Sequence, residues 1–388
     1  MGNQNIFKIV ENGDISKLQK LLKSNKSKIN LNQKNEGIGL LHIATLFGNL
    51  QMVEELISNE IDINLTGPAG DTALHLSCRL GKFSISQSLI SSGAKTYIKN
   101  NGIAPIHDLC NRKKCSLHIL KNLIDNGADF NCETRTGWKP IHCASSNSSF
   151  KTVKYLILRG TDVNEKDYLG WTPLHYCSQI GDIQKAKILL NEGAEINSCD
   201  IDLNTPLHIA ISNNVSSGYI NFLLSQKADP NHQDKTGWTP MHKAIIRGNV
   251  KNLQELIQAN ANCELANFNG QTPLQIALER GKKLIVKTLK DWTEKNKLNS
   301  ERIVEIQGII PSKIPKNKIL QHHVKNKLKK LKKIKRNISR SNSHHFDSIK
   351  IKNHPIKEKI LENEKINYEN ENEIEIFSSI NSTKIEMN

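Results

Sequence analysis

The chain is poor in aromatic residues, which make up 5% of its 388 positions, and no apolar run approaches the ~20 residues needed to cross a bilayer. The first residues lack the apolar stretch of a signal peptide, and Ile6 stands where N-myristoylation after Met1-Gly2 would want Ser or Thr. Eight cysteines form no paired framework, which fits a reducing intracellular setting, cytoplasmic or nuclear, better than a secreted disulfide scaffold. Also missing are a Gly-rich phosphate loop, a paired-carboxylate constellation and any kinase string. Ser148-Ser-Phe-Lys151 matches a Ser-x-x-Lys string, but no base or oxyanion donors accompany it, so it reads as a turn. An enzyme is not expected, nor is a cofactor.

What the chain does have is repetition. Gly170-Trp-Thr-Pro-Leu-His175 returns nearly intact as Gly237-Trp-Thr-Pro-Met-His242, and looser copies end at His42, His75, His107, His142, His208 and Gln275. Successive spacings from His42 to Gln275 are 33, 32, 35, 33, 33, 34 and 33 residues. Thr172, Thr205, Thr239 and Thr272 precede proline, which puts a capping hydroxyl at the N-cap and a preset φ at the first helical position. A short apolar helix follows and ends at Gly48, Gly81, Gly181 or Gly248, because glycine accepts positive φ at little cost. A second helix carries a large apolar pair, among them Leu56-Ile57, Leu123-Ile124, Leu189-Leu190 and Leu256-Ile257. Gly93, Gly127, Gly160 and Gly193 end it and open an extended hairpin. No single unit buries its own apolar face, so neighbours must stack.

This period and its Thr-Pro-Leu-His element resemble those of ankyrin repeats. The resemblance covers residues 1–295 and implies an all-α repeat solenoid, helix-turn-helix units joined by β-hairpin loops. Residues 5–32 lack the Thr-Pro-Leu-His element and read as a degenerate N-terminal cap, followed by eight repeats. Residues 296–388 are expected to be a disordered tail, basic and then acidic.

A stack of this kind has no built-in cleft, and the resemblance implies that partners dock on hairpin tips and the inner faces of the first helices. The residues following the hairpin glycines are Ile38, Asp71, Ile103, Trp138, Trp171, Trp238 and Gln271, with Asn204 following Leu203 where glycine is replaced. Three of the four tryptophans occupy this one position. Arg135, Tyr168, Lys235 and Phe268 lie nearby on the tips, and Arg79, Leu80, Arg112, Gln179, Ile180, Ile246 and Arg247 on the helix face. Exposed Trp, Tyr and Arg are enriched at binding hot spots, so an acidic or amphipathic protein segment is the expected ligand of a monomeric adaptor. The alternative is that the tryptophans pack against the next hairpin.

The motif histidines are one repeat apart, too far to converge on one ion, and the resemblance implies that each ties neighbouring repeats together through backbone groups. His107, Cys110, Cys115 and His118 have the residue types of a tetrahedral zinc site. Against this, His107 has its repeat-linking role and Cys110 fills the same slot as Cys78, so buried thiols are preferred and no metal is expected.

In the tail, Lys313 to Arg340 holds twelve Lys or Arg and no acid, while Glu358 to Glu386 holds eight Glu against three Lys. The densest run is Lys325, Lys327, Lys329, Lys330, Lys332, Lys333, Lys335 and Arg336. If helical, it would carry an apolar stripe of Val324, Leu328, Leu331, Ile334 and Ile338. Lys332 to Lys335 resembles a nuclear import signal for an importin, and the same chemistry suits nucleic acid or an anionic membrane. Ser339 and Ser343 resemble basophilic kinase sites, where phosphate would oppose the basic run.

Overall fold

The computed structural model describes residues 2–25 and 29–294. Among them the chain forms helix pairs throughout: α1 (Gly2–Glu11) with α2 (Ile15–Asn25), α3 (Leu40–Phe47) with α4 (Leu50–Ser58), α5 (Ala73–Leu80) with α6 (Phe83–Ser91), and α7 (Pro105–Cys110) with α8 (Leu117–Asp125). There follow α9 (Pro140–Asn147) with α10 (Phe150–Leu158), α11 (Pro173–Ile180) with α12 (Ile183–Asn191), and α13 (Pro206–Ser212) with α14 (Ser217–Ser225). The described region ends with α15 (Pro240–Arg247) and α16 (Val250–Gln258), then α17 (Pro273–Glu279) and a helix over 283–294. First helices pack on first helices of the next unit and second helices on second helices, which makes this an all-α repeat solenoid.

Its core follows the apolar pairs. Leu56, Leu89, Leu123, Leu156, Leu189, Leu223 and Leu256 are fully buried, while their partners Ile57, Ile157, Leu190 and Leu224 are only half-buried against that core. Each fully buried leucine contributes about 1.5–3 kcal/mol through removal from water. Cys78, Cys110, Cys143 and Cys177 lie buried as free thiols in the small-residue slots, and burial pushes the Cys78 and Cys177 thiols up to about 12.

Two ladders of hydrogen bonds join the units. In the first, every motif histidine but His42, whose Nδ1 is buried without a partner among the described residues, accepts at Nδ1 from the backbone N–H at its own helix start, as His175 does from Thr172 (3.1 Å) and His208 from Thr205 (3.2 Å). The accepting Nδ1 fixes the neutral tautomer, so Nε2–H donates onward to a carbonyl of the next unit. His42 reaches Asp71 (2.9 Å), His75 Ile103, His107 Cys132 and Trp138, His142 Glu165, His175 Asn204, His208 Trp238 and His242 Gln271. At the last motif Gln275 keeps the first half of this bond, its Oε1 accepting from Thr272 N–H at 2.8 Å. In the second ladder, Asn32, Asn64, Asn164, Asn197 and Asn231 each accept, at Oδ1, a backbone N–H of the next unit at 2.6–2.8 Å.

The expected hairpins are tighter than sequence suggests. Among the described residues only β1 (Lys34–Asn35) and β2 (Ile38–Gly39) form a strand pair, with one further bridge between Asn100 and Ile103. Elsewhere a side chain takes the N–H groups that a longer ladder would use. Asp167 Oδ1 accepts from the N–H groups of Leu169 and Trp171, and Asp234 Oδ1 from those of Thr236 and Trp238. Two backbone bonds, from Asp167 N–H to Trp171 O at 3.0 Å and from Gly170 N–H to Asp167 O at 2.9 Å, then close the turn.

Candidate functional site

The turns so made are tips of fixed geometry, and each is bonded to the one before it. Tyr168 N–H donates to Thr136 O, Ile201 N–H to Leu169 O, Lys235 N–H to Asp202 O and Phe268 N–H to Thr236 O, at 3.0–3.2 Å. The fourth tip residue needs positive φ: Gly170 has φ 75°, and an added β-carbon there would also lie 2.9 Å from Ile201 N. Tyr168 and Phe268 pack their rings over Gly137 and Gly237 of the preceding tip, yet remain 65% and 71% exposed.

The residue after that glycine is not an open edge. Trp138, Trp171 and Trp238 are half-buried, and Asp71 at the same position is buried. The cause is the histidine ladder, which takes the carbonyls of Asp71, Trp138 and Trp238 and draws that residue inward. Trp138 and Trp171 place their rings 4.8 and 5.0 Å from that of Tyr176, a buried residue that the sequence did not single out. The Tyr176 hydroxyl donates to Asp167, and burial with that carboxylate pushes the phenol well above its ordinary range. Trp238 packs on the core and 5.7 Å from His242. The three tryptophans therefore combine a packed face with an accessible one.

Two of the expected basic contacts are taken up within the chain. Arg79 donates to Asp71 (2.8 and 2.9 Å) and to Asp108 (2.8 and 3.1 Å), bridging its own unit to the next. Burial raises Asp71, but Arg79 and Asn100 outweigh it and hold the carboxyl below its ordinary value; at the more buried Asp108, burial wins. Arg112 donates to the carbonyl of Arg79 and lies over the Phe83 ring, 6.0 Å from its centroid. It fills the turn left by a missing glycine. Both residues are expected partner contacts, and in the structure their guanidinium groups bond within the chain. By contrast, Arg135 is exposed and forms no ion pair among the described residues, Arg247 is exposed, and Lys235 reaches Asp202 only at 3.4 Å across an exposed pair. Lys139 bridges Glu165 (2.7 Å) and Glu133 (3.5 Å).

Beside Trp138 a groove of about 350 Å³ is lined by Asn101, Asp108, Thr134 and Arg135. A wider depression of about 600 Å³ between α1 and α2 is lined by Lys8, Asp14, Lys17 and Lys20 and has no aromatic wall. His107 turns away from Cys115 and His118 toward its carbonyls, and His118 pairs with Asn122, so the four potential zinc ligands do not converge. Among the described residues no group of three or more potential metal ligands forms, and no helix is long and apolar enough to cross a membrane. Lys325, Lys327, Lys329, Lys330, Lys332, Lys333, Lys335, Arg336, Ser339 and Ser343 lie outside the described residues.

Comparison with known proteins agrees with this architecture. The family model for ankyrin repeats (three copies) matches residues 6–100, 106–200, 148–234 and 207–300. The chain is 32% identical over 117 residues to the tyrosine-protein kinase HTK16 of Hydra vulgaris, covering 29% of this chain and 15% of that one. It is 33% identical over 85 residues to protein phosphatase 1 regulatory subunit 27 of Homo sapiens, covering 22% of this chain and 54% of that one. It is 27% identical over 157 residues to a Saccharomyces cerevisiae protein described as a probable 26S proteasome regulatory subunit, p28, covering 39% of this chain and 68% of that one. The match thus spans a small part of the kinase and about half of the phosphatase subunit. A repeat motif at a steady period, stacked helix pairs and a family model matching most of its length place this chain in the ankyrin-repeat family, whose repeats generally mediate protein–protein interaction.

Proposed function

We propose that the chain is a non-catalytic intracellular adaptor that holds a protein segment along its hairpin tips and the inner faces of its first helices. The observation that carries this reading is the pair of rings at Tyr168 and Phe268. Each is seated on a glycine of the preceding tip and leaves most of its surface to solvent. Rigid aromatic side chains on a fixed backbone lose little entropy when covered, which suits them to anchor a partner. Arg135 and the accessible faces of Trp138 and Trp171 extend the same surface. Two of the relatives carry "regulatory subunit" in their names, which agrees with a role through binding rather than catalysis.

Peptides selected from a display library against the full chain provide the test, with affinity read by calorimetry. Tyr168→Ala should weaken the selected peptides by about 30-fold, the equivalent of about 2 kcal/mol, with unchanged circular dichroism. Peptides that bind the Tyr168→Ala and Phe268→Ala variants as well as the parent would remove the reading.

The run Lys325–Arg336 supplies localisation in this proposal, through importin. What supports it is the absence of any acid from Lys313 to Arg340. Direct nucleic-acid contact by the same run is the competing reading, and it predicts a steep loss of affinity with salt. Peripheral binding to anionic membrane is separated from both by vesicle sedimentation.

A further inference from the structure

The exposed apolar side chains of two neighbouring tips, Leu169, Ile201 and, at φ 59° in the place of a tip glycine, Leu203, belong to the tip surface already described. A second exposed apolar row lies at the other end of the first helices. The last turn of α3 exposes Leu46 and Phe47, and that of α5 exposes Leu80, at 43%, 59% and 41%. Phe47 and Leu80 hold the same place in successive units, each just before the glycine that ends its helix. Large apolar residues in register on helices packed together make a strip rather than a scatter.

Beside this strip run the turns between first and second helices, and they are cationic. Residues 46–50, 80–83, 111–116 and 147–151 include Lys82, Arg112, Lys113, Lys114 and Lys151 and no Asp or Glu. Contacts join these turns into one ridge. The Lys82 ammonium lies over the Gly48 turn, 2.7 Å from where a β-carbon there would sit, and Arg112 lies over Gly81 as it donates to Arg79 O. The Ser148 hydroxyl meets the carbonyls of Cys110 and Arg112 at 2.6 and 2.7 Å, and Asn147 donates to Asn111 at 2.7 Å. The ridge has ends, because the turn before it holds Asp14 and the turn after it Asp182. Asp71 and Asp108 lie toward the tips, buried and held by Arg79. One of the four turns adds a second observation. α3 and α4 are joined by two residues, as are α5 and α6, but α7 and α8 by six. Lys113 and Lys114 in that longer turn are exposed and form no ion pair among the described residues, so nothing in the stack requires their charge.

We propose that strip and ridge together dock an amphipathic helix of a partner protein, its apolar stripe on Phe47 and Leu80 and its acidic flank on Lys82, Lys113 and Lys114. The two chemistries lie side by side, which selects the conformation. An extended segment sends alternate side chains to opposite faces and would offer the surface only one of them, whereas a helix presents a stripe and its flank together. Three steps of about 10 Å between packed helices span about 30 Å, which is about 20 residues of helix. A nucleic acid would leave the apolar strip unused, and a broad anionic membrane would meet Asp14 and Asp182 as well. The inference rests on the reading of the first-helix inner faces as a protein-binding surface and adds the fold and charge of the partner.

The test selects displayed helical peptides of about 20 residues against the full chain, with Leu or Phe at i, i+3, i+4 and i+7 and with Glu, Gln or Lys beside them. Selected peptides should carry Glu on one flank, and Lys113→Glu/Lys114→Glu should weaken them about tenfold and flatten their salt dependence. Peptides remade with Lys for those Glu should bind that variant and not the parent. Phe47→Ser/Leu80→Ser should weaken the acidic peptides by a similar factor. All four positions are exposed, and circular dichroism checks that each variant keeps its fold. Should the serine pair disturb folding, the charge reversal decides alone. Peptides indifferent to flanking charge, or with full affinity for Lys113→Glu/Lys114→Glu, would overturn the inference. So would single-stranded RNA or phosphatidylserine vesicles that bind through Lys113 and Lys114 while no acidic helix is selected. If peptides depend on Tyr168 and Phe268 but not on this ridge, the inference falls and the adaptor reading stands. If they depend on neither, both fall.

Discussion

Acid should loosen this stack well above the pH at which its carboxylates protonate, and the motif histidines are the reason. Burial lowers the pKa of His42, His75, His107, His142, His175, His208 and His242, most plainly at His175 and His208, which it brings from 6.5 to about 4. An accepting Nδ1 and a donating Nε2 leave no place for a second proton. Below pH 6.5 the unfolded chain therefore binds protons that the folded chain refuses. The contribution to stability is full above 6.5 and is lost as pH falls from there toward 4. With these two values, each of His175 and His208 should remove about 1.2 kcal/mol between pH 7.0 and 5.5, about 2.5 kcal/mol together. Gln275 shows that glutamine can supply the accepting half of the bond. His175→Gln/His208→Gln should accordingly start less stable at pH 7, by about 0.5–1.5 kcal/mol for each lost bond to a carbonyl, and then resist the drop. Local opening free energies from hydrogen exchange across Pro173–Ile180 and Pro206–Ser212, corrected for intrinsic rates, read this directly, because an array of repeats need not unfold in one step. Asp234, held at about 2 by Lys243 and nearby donors against the opposing effect of burial, loses its contribution only below about pH 4, outside this window. An equal acid loss in parent and variant would refute the reasoning.

Leu203→Gly should stabilise the chain by about 1 kcal/mol, whereas Gly170→Ala, with φ 75° and backbone of the next tip 2.9 Å from the new β-carbon, should cost about 2 kcal/mol; urea midpoints compare the two, and changes of the same sign would count against the tip geometry. Arg79→Ala leaves Asp71 and Asp108 facing each other and should cost about 1–3 kcal/mol, less than a fully buried pair because the guanidinium side chain is 40% exposed. Adding Asp108→Asn should recover part of that loss, and an additive penalty would show that no coupling exists. For the tail, tagged full-length protein should accumulate in nuclei and lose that accumulation with Lys329→Gln/Lys330→Gln/Lys332→Gln/Lys333→Gln, partly also with acidic substitutions at Ser339 and Ser343; nuclear exclusion together with sedimentation on anionic vesicles would favour the membrane reading instead.

The helix pairs were legible because their determinants are local. A Thr-Pro helix start, a terminating glycine and an apolar pair lie within one repeat, and Cys78 and Cys110, each three residues after a motif histidine, betray one small buried slot by register. The binding surface was legible only in part, because its determinants cross repeats. Nothing near Arg79 shows that its acceptors are Asp71, eight residues back, and Asp108, 29 residues on. The half-burial of Trp138 and Trp171 depends likewise on Tyr176, which sits one residue after the motif histidine in a slot that other repeats fill with Ile, Leu, Asp, Cys or Lys. The one local signal available was Leu203 in the place of a tip glycine. Its meaning needed the neighbouring exposed residues, Leu169 and Ile201, which only stacking brings beside it.

Stability and the proposed recognition draw on different atoms of the same turns. At each well-formed tip the first residue's side chain takes two N–H groups, the histidine of the preceding unit takes a carbonyl, and glycine supplies the positive φ. Those demands leave the second and third residues bonded through their main chain at Tyr168-Leu169, whereas further along Lys235 also reaches Asp202 and the Thr236 hydroxyl donates to Asp234. Side chains there are therefore free to differ from tip to tip without harming the stack. They do differ, running through aromatic, aliphatic and basic types. Where a residue departs from what the turn requires, as Leu203 does, the explanation has to come from outside the turn. That is why the two tips around Leu203, more than the tryptophans that first stand out in the sequence, are where contact with a protein segment is to be sought.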